Sequence, residues 1–188
     1  MGFKLAILIS GNGSNMLNII EACKKKILSS EVKIVVSNNY NSKGIELAKK
    51  KEIKTKIIDN EKFKEKLQKI LHDEKINLVC LAGFMKILNK KFLKNWKYKI
   101  INIHPSILPS FPGLNAVDQA LKKGVKYTGC TIHFVDDGID TGKIIDQKII
   151  RIAEKDTLSN LKKKILKEEH NLYIKVLSNL EKEINDKI

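Results

Sequence analysis

Seven short runs rich in Val, Ile and Leu alternate along the chain with stretches of helical periodicity, and this alternation restricts the fold more than any other feature. The candidate strands are 4–9, 32–37, 56–58, 78–82, 99–103, 128–135 and 143–150; the candidate helices are 15–27, 43–51, 61–74, 90–96, 116–123 and 157–180. Strands that take turns with helices predict α/β layers around a mostly parallel sheet, with helices on both faces. Cys130, Ile132 and Phe134 alternate with Thr131, His133 and Val135, the period of a half-buried strand. Only residues 136–142 separate that strand from the next, too few for a parallel crossover, so these two are expected to form an antiparallel hairpin. The last helix carries Leu158, Leu161, Ile165, Leu172, Ile174, Val176, Leu177 and Leu180 mostly at helical spacing, a stripe able to dock on the sheet.

With 188 residues, no internal repeat and no low-complexity linker, a single domain over 1–188 is expected. No apolar run approaches the roughly 18 to 20 residues of a membrane helix. The run Leu5–Ile9 is too short for a signal-peptide core. Ala6 stands where a myristoylation signal needs Ser or Thr. A cytoplasmic protein without membrane attachment is the resulting expectation. Cys23, Cys80 and Cys130 make no C-x-x-C pair and sit among apolar neighbours, which predicts buried thiols in a reducing compartment. The net charge of +15 invites a nucleic-acid reading, yet 35 of the 36 basic residues are Lys and only Arg151 is Arg. Arg supplies most bidentate phosphate and base recognition, and the lysines are scattered over predicted helix surfaces. Such a field can attract small polyanions.

The segment Ile101-Asn102-Ile103-His104-Pro105 places an amide and an imidazole two residues apart at the end of a strand, hence on one face. A hydrogen-bond donor beside a titratable ring can polarise a carbonyl and move a proton, although an isolated histidine is also an ordinary structural residue. Asp136, Asp137 and Asp140 in the hairpin loop are common turn formers, and one of them near His104 would raise the basicity of the imidazole. They lack the spacing and terminal Glu of a calcium loop. The first strand runs into Ser10-Gly11-Asn12-Gly13-Ser14-Asn15 and then a helix, a geometry suited to phosphate. This is neither a dinucleotide fingerprint nor a P-loop, and no acidic residue follows the second strand to hold an NAD ribose. Leu81-Ala82-Gly83-Phe84-Met85-Lys86-Ile87-Leu88 follows the fourth strand, either as core or as the wall of a pocket for a flat ring. His133 fits a structural or supporting place, and His72 an exposed one. Glu169 interrupts the apolar stripe of the last helix, so it meets either a ligand or a surface ion pair.

Taken together, Ile9-Ser10-Gly11-Asn12-Gly13-Ser14-Asn15, Leu81-Ala82-Gly83-Phe84-Met85, Asn102-Ile103-His104-Pro105-Ser106, Phe111-Pro112-Gly113 and His133-Phe134-Val135 followed by Asp140 make the chain similar to the phosphoribosylglycinamide formyltransferases, folate-dependent enzymes of purine synthesis. The resemblance covers nearly the whole chain and implies a Rossmann-like formyltransferase fold, a mostly parallel twisted sheet of about seven strands with a C-terminal antiparallel hairpin. It implies 10-formyltetrahydrofolate as co-substrate, a phosphorylated ribosyl glycinamide as acceptor, no metal and no nucleic acid, in a monomer or homodimer. It assigns Asn102, His104 and Asp140 to catalysis. It gives Gly11, Asn12, Gly13, Ser14, Asn15 and Glu169 to the ribonucleotide, and Met85, Lys86, Ile87 and Leu88, with Asn102 and Asp140, to the folate. Lys86, Asn115 and Asn60 depart from the pattern at positions where other members often carry Arg, His and Arg, which bears on the folate tail more than on the chemistry.

Two relatives share this chemistry. Methionyl-tRNA formyltransferase adds a C-terminal tRNA-binding domain and formyltetrahydrofolate hydrolase usually an N-terminal regulatory one; 188 residues with a strand from about Lys4 favour the ribonucleotide acceptor. A basic, non-catalytic nucleic-acid module leaves the Asn102, His104 and Asp140 set unexplained.

Overall fold

The computed structural model describes residues 2–59, 62–97 and 99–186. Seven strands, β1 (Lys4–Ile9), β2 (Glu31–Ser37), β3 (Thr55–Ile57), β4 (Leu78–Leu81), β5 (Ile100–His104), β6 (Tyr127–Phe134) and β7 (Ile144–Arg151), form one sheet in the order β3-β2-β1-β4-β5-β6-β7. The helices are α1 (Ser14–Lys24), α2 (Lys43–Lys50), α3 (Phe63–Asp73), α4 (Lys90–Lys94), α5 (Ala116–Lys123) and α6 (Leu158–Asn185). All neighbours from β3 to β5 are parallel, whereas β5–β6 and β6–β7 are antiparallel. The hairpin expected from the short 136–142 loop is present. No helix among the described residues is long and apolar enough to cross a membrane.

The pleat of β1 explains the two layers. Leu5, Ile7 and Ile9 face a core shared with α1, α2, α5 and α6, while Ala6 and Leu8 face a second core filled by Phe63, Leu67 and Leu71 of α3 and by Phe92, Leu93 and Trp96 around α4. All five of these β1 side chains are fully buried. Each buried aliphatic chain of Leu or Ile size contributes about 1.5–3 kcal/mol. A central strand covered on both faces must be apolar at every position, which is why β1 reads as a continuous run. Tyr173 on α6, also fully buried, anchors that helix by donating its hydroxyl to the Leu81 carbonyl at 3.0 Å.

Some boundaries differ from the sequence expectation. Helix α1 stops at Lys24, short of residue 27, because Lys26 takes a left-handed conformation with φ 58° that no helix can continue. Strand β5 extends to His104 and α6 runs past Leu180 to Asn185. The expected start of α3 at residue 61, like Asn60 before it, lies outside the described residues. Cys80 and Cys130 are buried, and burial pushes the Cys80 thiol well above its ordinary value and the Cys130 thiol up to about 12; Cys23 is only half-buried rather than in the core.

The chain order reverses between β1 and β4: the connections after β1 lead outward to β2 and β3, then return to β4 on its other side. Loops diverge there at the carboxyl ends of the strands and leave a crevice between them. Those loops are 10–13 and 82–89, the two glycine-bearing segments singled out in the sequence.

Candidate active site

Strand β5 delivers Asn102 and His104 to one face, and the antiparallel register sets Asn102 opposite His133 and His104 opposite Thr131. His104 is only 5% exposed. Its Nδ1 lies 3.2 Å from Oδ2 of Asp140, and its Nε2 lies 2.8 Å from the Phe111 carbonyl. Both ring nitrogens therefore face acceptors, and the doubly protonated imidazolium can donate to each.

Asp140 reaches the ring from the hairpin loop, with its backbone at φ 55°, a region that costs a non-glycine residue of order 1–3 kcal/mol. Phe111 also has φ 55°. The two strained residues are the two that hold His104, one by its carboxylate and one by its carbonyl. Oδ2 of Asp140 accepts the Gly113 N–H at 2.8 Å, and Asp136 holds the loop by accepting from the Gly138 N–H and the Thr141 hydroxyl. Burial by itself raises the Asp140 carboxyl, but the Gly113 N–H and the charge on the His104 imidazole oppose it, and the group lies below its ordinary value.

The loop after β1 is built by close backbone approach. Gly13 has φ 75°, and a Cβ there would sit 2.9 Å from the Gly44 Cα; at Gly11 a Cβ would meet nothing within 4 Å. The Gly44 N–H and the Ser42 hydroxyl both donate to the Gly11 carbonyl, at 3.0 and 2.8 Å. Helix α1 starts here with no side-chain cap and no acidic residue in its first turn, so its leading N–H groups are oriented for an anion. Gly11 and Asn12 are exposed, Ser14 is half-buried and Asn15 is buried. Asn15 Nδ2 donates to Oε2 of Glu169 at 2.9 Å, while its Oδ1 is buried without a hydrogen-bond partner. Glu169 is thus a buried residue tied to the first loop and not a surface ion pair. Burial raises its carboxyl above the ordinary value, with the Asn15 bond opposing.

The Ser10 hydroxyl joins the loops across the crevice: it accepts the Met85 N–H at 2.8 Å and donates to Asn38 Oδ1 at 2.6 Å, while the Ser10 N–H donates to the Gly83 carbonyl at 3.1 Å. Met85 and Ile87 are exposed, Leu88 is buried, and Lys86 places its ammonium 5.0 Å over the Phe63 ring, which stacks on Phe84. Leu114 and Ile139 are exposed apolar side chains on the 111–115 and 136–142 loops. Asn115 is exposed at the start of α5 with φ 59°. A cleft of about 420 Å³ opens between α4 and the end of β6, with Leu93, Phe134 and Val135 as its apolar walls and Lys90, Asp136 and Asp137 at its rim.

The structure therefore gathers Asn102, His104 and Asp140, and separately Asn15 and Glu169. Sequence reasoning gave no role to Phe111, Gly113, Ser10 or the α4 cleft, and none to His133 beyond a supporting one. The alternating pattern of β6 locates His133 on a face, but only the strand register brings it to Asn102. His72 is exposed, as expected. Among the described residues, no group of three or more His, Cys, Asp or Glu side chains is arranged to hold a metal ion.

Residues 3–177 match the family model described as formyl transferase. The chain is 39% identical over 185 residues to the phosphoribosylglycinamide formyltransferase of Bacillus subtilis, covering 94% of both. It is also 39% identical over 176 residues to the human trifunctional purine biosynthetic protein adenosine-3, but it spans only 17% of that protein. Among solved structures, the phosphoribosylglycinamide formyltransferase of Anaplasma phagocytophilum superposes with a TM-score of 0.93 at 40% identity, over 97% of this chain and 88% of that one. The enzyme of the same name from Bacillus halodurans gives 0.91 at 39% identity, over 94% of each chain.

Proposed function

The chain belongs to the formyl transferase family, and on that premise we propose that it transfers a formyl group from 10-formyltetrahydrofolate to the amine of N1-(5-phospho-D-ribosyl)glycinamide, a step of purine biosynthesis in the cytoplasm. The observation that carries this reading is the His104 ring, braced by Asp140 and Phe111 with the Asn102 amide alongside.

The attacking amine adds to the formyl carbon and produces a tetrahedral species bearing an oxyanion. The Asn102 amide donates a hydrogen bond to that oxygen, and protonated His104 donates a second once its Nε2–H exchanges the Phe111 carbonyl for the oxyanion. The Asp140 carboxylate, ionised well into acid, stabilises the imidazolium and helps move the proton from the attacking nitrogen to N10 of the folate, the leaving nitrogen. Breaking the bond to N10 then completes the transfer. The reaction as drawn needs neither a metal nor a covalent enzyme intermediate.

The uncapped start of α1 and the loop 11–15 take the phosphate. The unpartnered Asn15 Oδ1 and the Glu169 carboxylate take ribosyl hydroxyls, which are the donors these two acceptors require. Main-chain groups of Met85, Lys86, Ile87 and Leu88 and the adjoining α4 cleft receive the pterin, whose flat ring suits walls of Leu93 and Val135. The exposed Met85, Ile87, Leu114 and Ile139 line the approach for the rest of the folate.

Formyl transfer to the ribonucleotide should be assayed beside simple hydrolysis of the donor. Acceptor-dependent loss of the formyl group supports the reading; equal turnover with and without acceptor would identify a hydrolase instead.

A further inference from the structure

His133 is almost fully buried and touches two of the three residues given catalytic roles, yet the reaction as drawn leaves it unused. Its Nδ1 lies 2.9 Å from the Phe134 carbonyl. A carbonyl only accepts, so Nδ1 carries a proton, and in the neutral ring Nε2 is left as an acceptor. The atom in reach of Nε2 is Nδ2 of Asn102, at 3.2 Å; Asp140 Oδ1, at 3.6 Å, is beyond bonding distance.

Asn102 Nδ2 carries two hydrogens. One meets His133 and the other points toward Asp140 Oδ1 at 3.5 Å, a long contact that an oxyanion displaces readily. Were the amide turned over, its oxygen would face the Nε2 lone pair at one end and the oxyanion at the other, which is repulsive at both. The β5–β6 register sets the two residues opposite one another, and the irregularity between Ile132 and His133 in the β6–β7 pairing falls at this point.

We propose that His133 is a positioning residue which, by accepting one Nδ2 hydrogen, holds the Asn102 amide in the orientation that donates to the oxyanion. The proposal rests on the formyl-transfer reading above. It requires the neutral ring to be the Nδ1–H tautomer and the His133 contribution to pass entirely through Asn102.

The test uses the full chain. In protein labelled with ¹⁵N-histidine, the neutral His133 ring should show an unprotonated Nε2, and a proton there would overturn the proposal whatever the substrate is. His133→Leu should lower kcat about ten- to a hundredfold, as misorientation does, with KM values within about twofold. His133→Gln, whose amide oxygen can accept the same hydrogen, should recover most of that loss. In an Asn102→Ala background, His133→Leu should cost nothing further; an equal loss in both backgrounds would mark His133 as merely structural and overturn the proposal. If the Leu variant does not fold, the Gln variant and the tautomer decide. Absence of transfer to the ribonucleotide by the unmodified chain, with the tautomer as stated, counts against the formyl-transfer reading and not against the Asn102–His133 contact.

Discussion

The carboxylate of Asp140 lies 3.2 Å from Nδ1 of His104, although His104 ends β5 while Asp140 sits in the β6–β7 loop and adopts a left-handed backbone there. Strain of this kind persists only where surrounding contacts over-determine it, and here the Gly113 N–H and the Asp136 turn do so. The site is arranged to hold the His104 ring between a carboxylate and a carbonyl.

His104→Ala and Asp140→Asn should each lower kcat by about 10² to 10³, the usual effect of losing one oxyanion donor. Circular dichroism should show the fold retained, while the melting temperature falls modestly because each variant gives up buried contacts of the His104–Asp140 pair. Turnover close to that of the unmodified protein in either variant would remove these residues from the mechanism.

The Asp140 carboxyl is held below its ordinary value of 3.8. For an acid with a lowered value, the stabilisation is present above the ordinary pKa and is lost only as pH falls through the lowered one. A ¹³C titration of the Asp140 carboxyl should therefore show a midpoint under 3.8, and Asp140→Asn should abolish that transition. A midpoint above 3.8 contradicts the arrangement described.

Two glycines separate folding from binding. Gly11→Ala meets open space, so the melting temperature should hold while KM for the ribonucleotide rises, because the new methyl group occupies the path of the anion. Gly13→Ala forces a side chain onto φ 75° and against the Gly44 Cα, and should destabilise the fold by about 1–3 kcal/mol in urea denaturation. Equal melting temperatures for the two variants would show that the loop is not built on the Gly13–Gly44 approach.

Glu169 has the opposite sign to Asp140. Its carboxyl is raised by burial, so the stability of its protonated form is present below the ordinary value of 4.5 and is lost as pH rises through the raised one. Glu169→Gln should thus be at least as stable at neutral pH, the difference closing toward pH 4.5. The same variant should raise KM for the ribonucleotide about ten- to a hundredfold, the cost of one hydrogen bond to a charged group. A variant less stable at neutral pH with unchanged KM would place Glu169 in the fold alone.

Much of this was legible in the amino-acid order. The continuous apolar run of β1 marks a strand covered on both faces, and the brief 136–142 loop forces the hairpin, because both follow from local geometry. Asn102 and His104 share a face for the same reason. The end of α1 was not legible: nothing about Lys26 announces a positive φ, which the turn into β2 imposes. Asn15 and Glu169 are separated by most of the chain, so the contact that turns Glu169 from a possible surface acid into a buried group depends on how α6 packs over α1.

By itself the sequence determined the α/β layers and the loop at the head of α1, and it put Asn102 and His104 on one face, with Asp140 singled out only through the family resemblance. The tertiary structure alone decided that β6 lies antiparallel to β5, that His133 meets Asn102 across that pair, and that Phe111 and Asp140 close on opposite sides of His104. The reason is physical: periodicity and turn chemistry act over a few residues and leave their mark in order along the chain. Register, burial and the approach of distant loops arise only when many such segments satisfy one shared core.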